Sequence, residues 1–245
     1  MRDLTKTGAY ISKRIGKAIA DYNLIEDKDK ILVAVSGGKD SLSMLKLLNE
    51  RRKWAPVDYK LFVAHIETDF RCAGCVHTKE LKKIFEDYEV PHRFVKIKVK
   101  DKNKATSCFW CSWNRRKALF TLADKLGCTK IAFGHHQDDI IETLLLNMFY
   151  HGEFSAMNPK QELFKGKIVI IRPLCYVEES VIRRFAKESG FPSQLCRCPN
   201  AQTSKRRMMK NFISKVEKDC AYAKLNLFKT IGRVNREYTR IKEIN

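Results

Sequence analysis

The stretch KILVAVSGGKDS (30–41) joins two kinds of pattern. KILVAV is a short, β-branched apolar run, the mark of a buried strand. SGGKDS follows at once and leads into SLSMLKLLNERR, whose apolar spacing is helical. Gly37 and Gly38 allow a tight turn and close backbone approach. The helix start offers free N–H groups and the positive end of a dipole. Ser36 and Ser41 bring hydroxyls, Lys39 a charge for phosphate, and Asp40 a carboxylate suited to Mg2+. A Walker loop would need glycine where Val33 stands and Ser or Thr at Asp40. The loop is therefore a nucleotide loop of another kind.

Working outward, KLFVAHI (60–66), FVKIKV (94–99), KIAFG (130–134) and KIVIIRPL (167–174) read as further strands. Residues 8–24, 78–90, 114–127, 138–150 and 178–190 read as helices, with Gly127 as a C-terminal cap. The alternation predicts an α/β fold: a parallel twisted sheet with helices on both faces. In such sheets ligands bind outside the carboxyl ends of the strands. SGGKDS, His65 and GHHQDD (134–139) all fall just past expected strand ends, so they should gather along one rim. Gly134 would line the nucleotide site there. Asp138 and Asp139 form a carboxylate pair at a helix start, suited to Mg2+ or to orienting a nucleophile, with Asp139 favoured for chemistry. One of them can serve instead as an N-cap. His65 suits an adenine pocket or a satisfied strand end, and His135 and His136 shape the loop.

Three domains are expected: an N-terminal helical segment (1–28), an ATP-binding α/β domain (29–192), and a third-cysteine loop with a basic helical tail (193–245). The chain of 245 residues carries 48 Lys and Arg against 28 Asp and Glu, a formal charge of +20. So large an excess points to a polyanionic partner, nucleic acid first. No run approaches the roughly 18 apolar residues of a membrane span, and the N-terminus lacks a signal-peptide core. A cytoplasmic protein with no membrane partner is expected.

Nine cysteines make an odd number for a disulfide framework. Cys72/Cys75, Cys108/Cys111 and Cys196/Cys198 form close pairs, while Cys128, Cys175 and Cys220 suit core packing. SCFWC (107–111) lies just ahead of the 114–127 helix, and its spacing alone suits zinc, a redox disulfide or an iron–sulfur cluster.

SGGKDS matches the PP-loop of ATP pyrophosphatases. Together with the stretches 18–41, 107–154 and 168–186, it resembles the TtcA-like tRNA 2-thiocytidine synthetase family of PP-loop tRNA thiolases. The resemblance implies the adenine nucleotide alpha hydrolase-like fold. It also implies ATP and Mg2+, and a tRNA substrate whose anticodon-loop cytidine is adenylated at the C2 oxygen. Sulfur from a donor such as a cysteine desulfurase then replaces that oxygen by way of a 4Fe-4S cluster held by three cysteines. It makes Cys108 and Cys111 two of these ligands and puts Cys198, with Cys196 as runner-up, in the third place. Arg115 matches a basic position assigned to phosphate or intermediate stabilisation. Cys72 and Cys75 lie outside the family pattern, and a homodimer stays open. Thiolation of a uridine or another base modification is the alternative within the fold. A zinc-stabilised RNA-binding module built on Cys108, Cys111, Cys196 and Cys198 is the alternative outside catalysis.

Overall fold

The structure is a computed structural model and describes residues 4–69, 78–99, 107–192 and 205–238. By compactness the chain divides into two units, residues 1–136 with 158–201, and residues 137–157 with 202–245. The division runs through the stretch expected as one ATP-binding domain.

The first unit is built on a six-stranded sheet among the described residues, in the order β3-β2-β1-β4-β6-β5. The strands are β1 (Asp29–Ala34), β2 (Tyr59–Thr68), β3 (His92–Ile97), β4 (Lys130–Ala132), β5 (Lys160–Leu163) and β6 (Ile168–Ile171). All neighbours run parallel except β5, which pairs antiparallel with β6 at the edge. The sheet is the parallel one expected, with one antiparallel edge strand added. The α/β class itself holds. From β1 the chain moves outward to β2 and β3, then crosses to β4 on the other side of β1. The switch in direction opens a crevice between the carboxyl ends of β1 and β4.

Helices α1 (Lys6–Tyr22), α2 (Lys39–Arg51), α3 (Thr78–Asp87), α4 (Cys108–Leu126) and α6 (Glu179–Glu188) surround this sheet. Leu119 and Ala123 of α4 pack on Leu32, Ala64, Ile66 and Ile131. Ile31 and Val33 are offset by one residue and so face the other way, where they too are fully buried. Both faces are therefore covered. The N-terminal helix is part of this packing, with Ile11, Ile15 and Ala18 buried. A Cβ on its Gly8 would meet Phe185 of α6 at 2.7 Å, so only glycine allows the two helices to approach this closely. Gly127 ends α4 in the left-handed region as expected.

The second unit holds α5 (Gln137–His151), α7 (Lys205–Asp219) and α8 (Ala223–Thr230). Its core joins Ile141 and Leu145 of α5 to Met209 and Ile213 of α7. In each helix the apolar pair is spaced four residues apart, which puts it on one face.

Candidate functional site

The loop after β1 is closed by its own serines. The Ser36 amide donates to Ser41 Oγ at 3.2 Å, and Ser41 Oγ donates to the Gly38 carbonyl at 3.0 Å. Gly37 has φ of 86°, a conformation costly for any residue with a Cβ. Gly38 begins α2 and gives it no side-chain cap, so the first amides of that helix are left to a ligand. Lys39 Nζ lies 3.2 Å from Asp40 Oδ2 and 3.1 Å from Glu179 Oε1. Burial pulls the Lys39 ammonium down, but the Asp40 and Glu179 carboxylates outweigh it and hold its pKa above the ordinary lysine value. Asp40 Oδ1 is buried without a hydrogen-bond partner. His136 Nε2 is the nearby cation candidate, but at 3.9 Å. Uncapped amides, a lysine and an unpartnered carboxylate oxygen fit a Mg2+–triphosphate: the first two meet phosphate, the last meets a hard cation.

The turn after β4 comes so close to this loop that a Cβ on Gly134 would meet Ser41 N at 3.0 Å and Asp40 C at 3.1 Å. Gly134 and the loop are thus brought together. His65 sits inside β2, which runs on to Thr68, and not past the strand end as expected. Because Ala34 pairs with Ala64, His65 is level with the first residue beyond β1. Its Nδ1 lies 2.8 Å from the Val35 carbonyl, which can only accept, so Nδ1 carries the proton. Burial lowers the His65 pKa, and the charge of Arg115 on α4 lowers it further. Arg115 Nε is buried without a partner.

The cysteine helix begins earlier than its periodicity suggested. α4 starts at Cys108 and not near residue 114, because Ser107 caps it, its hydroxyl accepting from the Trp110 amide at 3.1 Å. Cys108 and Cys111 therefore occupy the first turn, where the helix dipole favours thiolates, and Cys111 is half-buried. Soft sulfur ligands one turn apart fit an iron–sulfur cluster. Cys72, Cys75, Cys196 and Cys198 lie outside the described residues, and among those described no three candidate ligands converge on a metal position.

Comparison with known proteins places this geometry. A family model described as a PP-loop domain matches residues 9–216. A tRNA-cytidine(32) 2-sulfurtransferase of Geobacter sulfurreducens is 40% identical over 93% of this chain and 91% of its own. The chain belongs to the PP-loop tRNA-cytidine(32) 2-sulfurtransferase family. Another relative of that name, from Delftia acidovorans, is 41% identical over 84% of this chain and 67% of its own. A solved structure of the U34-tRNA thiolase NcsA from Methanococcus maripaludis, with its 4Fe-4S cluster, superposes with a TM-score of 0.75 at 22% identity. It covers 92% of this chain and 77% of NcsA and shows the shared fold.

The second unit carries the paired aspartates Asp138 and Asp139 in the first turn of α5. Asp138 Oδ1 lies 3.1 Å from Lys224 Nζ, and Asp139 Oδ1 lies 2.8 Å from Arg206 Nη1. Arg206 also donates to Thr143 and lies 3.7 Å from Glu142. Burial pushes the Glu142 carboxyl up to about 7, against the pull of Arg206. Sequence reasoning passed over Glu142, Lys224 and Glu179. A glutamate three residues beyond an acidic pair is unremarkable in sequence, and nothing local links Lys224 to Asp138. Arg206 is engaged with Asp139.

Proposed function

We propose that the protein is an ATP-dependent tRNA thiolase that converts an anticodon-loop cytidine, position 32 in its relatives, to 2-thiocytidine. The C2 oxygen attacks the α-phosphorus of ATP and pyrophosphate leaves. Sulfur then adds at C2, and the oxygen departs as part of AMP. Adenylation is needed because a pyrimidine C2 oxygen is otherwise a poor leaving group. On this reading the α2 amides, Ser36, Ser41 and Lys39 hold the phosphates and Asp40 holds Mg2+. Gly37, Gly38 and Gly134 allow the backbone to close around the nucleotide, and His65 flanks it. Arg115 stabilises charge that develops as AMP leaves. Asp138 and Asp139 bind Mg2+ or orient the nucleophile, with Asp139 the catalytic member and Arg206 fixing its rotamer. Cys108, Cys111 and Cys198 hold a 4Fe-4S cluster, which when bound supplies a coordination site for the incoming sulfur beside the activated carbon.

The observation that carries the reading is that α4 ties the cysteine turn to the nucleotide rim. α4 begins with the cysteine turn and packs through Leu119 and Ala123 on Leu32 of β1, Ala64 and Ile66 of β2 and Ile131 of β4, the strands that lead to the loop and to Gly134. A donor of desulfurase type would supply the sulfur, in the cytoplasm where tRNA is found. Among the described residues no helix is long and apolar enough to cross a membrane.

Nucleoside mass spectrometry of tRNA from a deletion strain tests the proposal. Loss of 2-thiocytidine is the expected result. Loss of a 2-thiouridine instead would move the acceptor to a uridine, and an unchanged nucleoside profile would refute thiolation altogether. Sedimentation of the purified protein reads whether it acts as a homodimer.

A further inference from the structure

The first two turns of α4 present aromatic rings to solvent. Trp110 and Trp113 are each 47% exposed and Phe109 is 78% exposed. Indoles are rarely left this open, because covering a large aromatic side chain is worth about 1.5–3 kcal/mol. The two indoles are also ordered against each other, with ring centroids 5.6 Å apart and planes inclined by only 11°. Lys117 Nζ lies 5.5 Å from the Trp113 ring centroid, and Arg116 beside it is exposed. The helix thus carries a column in the order Trp110, Trp113, Lys117, with Trp110 at the cysteine end.

We infer that this column is a stacking platform for an unpaired nucleobase of the tRNA anticodon loop, next to the base that reacts. The inference rests on the thiolase reading above. Two parallel π-faces flanked by cations match a base on one side and its phosphate on the other. An apolar protein partner would gain nothing from the lysine and arginine, and the chain's charge of +20 complements RNA. Location adds a reason. A pyrimidine presents C2 to an enzyme only after leaving its stack, and its neighbour then loses a stacking partner. Trp110 lies on the same turn as Cys108 and Cys111, so it stands where that neighbour needs a replacement face.

The chain has three tryptophans, so a Trp54→Phe background leaves only the two indoles of α4 as fluorescent reporters. The probes are an anticodon stem-loop RNA containing the target cytidine and the same stem closed as a blunt duplex. The stem-loop should quench the indole emission saturably, and the duplex should not. Trp110→Ala with Trp113→Ala should weaken stem-loop binding by about tenfold or more, as expected for lost base–aromatic stacking, with duplex binding unchanged. Trp110→Phe with Trp113→Phe should restore part of the loss. Unchanged ATP binding and iron content would show that the variant is folded. Equal losses for loop and duplex, or no loss, would overturn the platform. So would a fall in oligomer mass with RNA affinity intact, which would assign the rings to a second copy of the chain. If the stem-loop binds with this dependence and no 2-thiocytidine forms, thiolation fails and the platform stands. If the doubly substituted protein thiolates with an unchanged KM for tRNA, the platform fails and thiolation stands.

Discussion

Gly134→Ala isolates the fit between the turn after β4 and the nucleotide loop. The added Cβ would meet Ser41 N at 3.0 Å, Asp40 C at 3.1 Å and Ser41 Cα at 3.1 Å. Carbon contacts normally settle at about 3.5–4.0 Å, so each is short by roughly half an ångström. All three atoms are backbone in the first turn of α2, and none can rotate away. Overpacking of this kind costs about 1–3 kcal/mol. For a protein of this size ~2 kcal/mol corresponds to a fall in Tm of about 4–8 °C. The strain falls on the amides proposed to hold phosphate. Turnover should therefore drop further than stability, by roughly 10- to 100-fold, as misplacement of reacting groups does. The assay is tRNA-dependent AMP release alongside thermal unfolding. Gly190→Ala is the control. Gly190 has φ of +64° with no atom within 4 Å of the added Cβ, so its variant bears only the left-handed backbone cost of about 1 kcal/mol. Its Tm should fall while AMP release below Tm stays at the wild-type rate. A Gly134→Ala protein with wild-type Tm and turnover would refute the close approach. One that loses stability but keeps full turnover would refute the link to phosphate binding.

Other perturbations give distinct readouts. Glu179→Gln removes a carboxylate that lies 3.1 Å from Lys39 and competes with phosphate for it. Calorimetry should show ATP binding about fivefold tighter, or ~1 kcal/mol, and weaker binding would show that Glu179 serves to aim the lysine. Glu142 has its folded pKa raised from 4.5 to about 7, so the native state holds a proton that the unfolded state has released between those values. Wild-type stability should then fall by about 2–3 kcal/mol as pH rises from 4.5 to 7 and level off above. Glu142→Gln should lack this component of the slope, and parallel urea-unfolding profiles for the two proteins would contradict the assignment. Cys111→Ala should abolish the broad visible absorbance of anaerobically purified protein and leave ATP binding intact. Retention of a full cluster would remove Cys111 from the ligand set.

Residues 30–41 made the α/β fold legible because strand, loop and helix each carry a strong local signature. β5 was missed because Lys160–Leu163 is a short edge strand, and its polar Gln161 and Glu162 need no apolar alternation. The start of α4 was missed for a different reason. Phe109, Trp110 and Trp113 are exposed, so no apolar buried face marks the helix there. The serine of SCFWC was nevertheless a readable signal, since it caps the helix that follows. The second unit was beyond local reasoning. Ile141 and Leu145 find their partners in Met209 and Ile213, on a helix far along the chain, and only tertiary packing brings these together.

Helix starts recur wherever this chain concentrates chemistry, and their differences decide which one takes the nucleotide. The dipole at each N-terminus favours negative charge. At α4 that charge would be cysteine thiolate, and Ser107 already accepts from the Trp110 amide. At α5 the charge is built in as Asp138 and Asp139, which are matched by Lys224 and Arg206. At α6 the cap is Glu178 with Glu179 in the first turn, which repels an anion. At α2 the cap is a glycine with no side-chain bond, and a lysine opens the helix. The loop's serine bonds turn inward on Ser36, Gly38 and Ser41, so they leave the α2 amides open. On the proposed function, this difference favours phosphate at α2 and leaves the thiols of α4 as candidates for iron. The carboxylate of Asp40, with one oxygen on Lys39 and the other without a hydrogen bond, is positioned for the cation that must accompany the triphosphate.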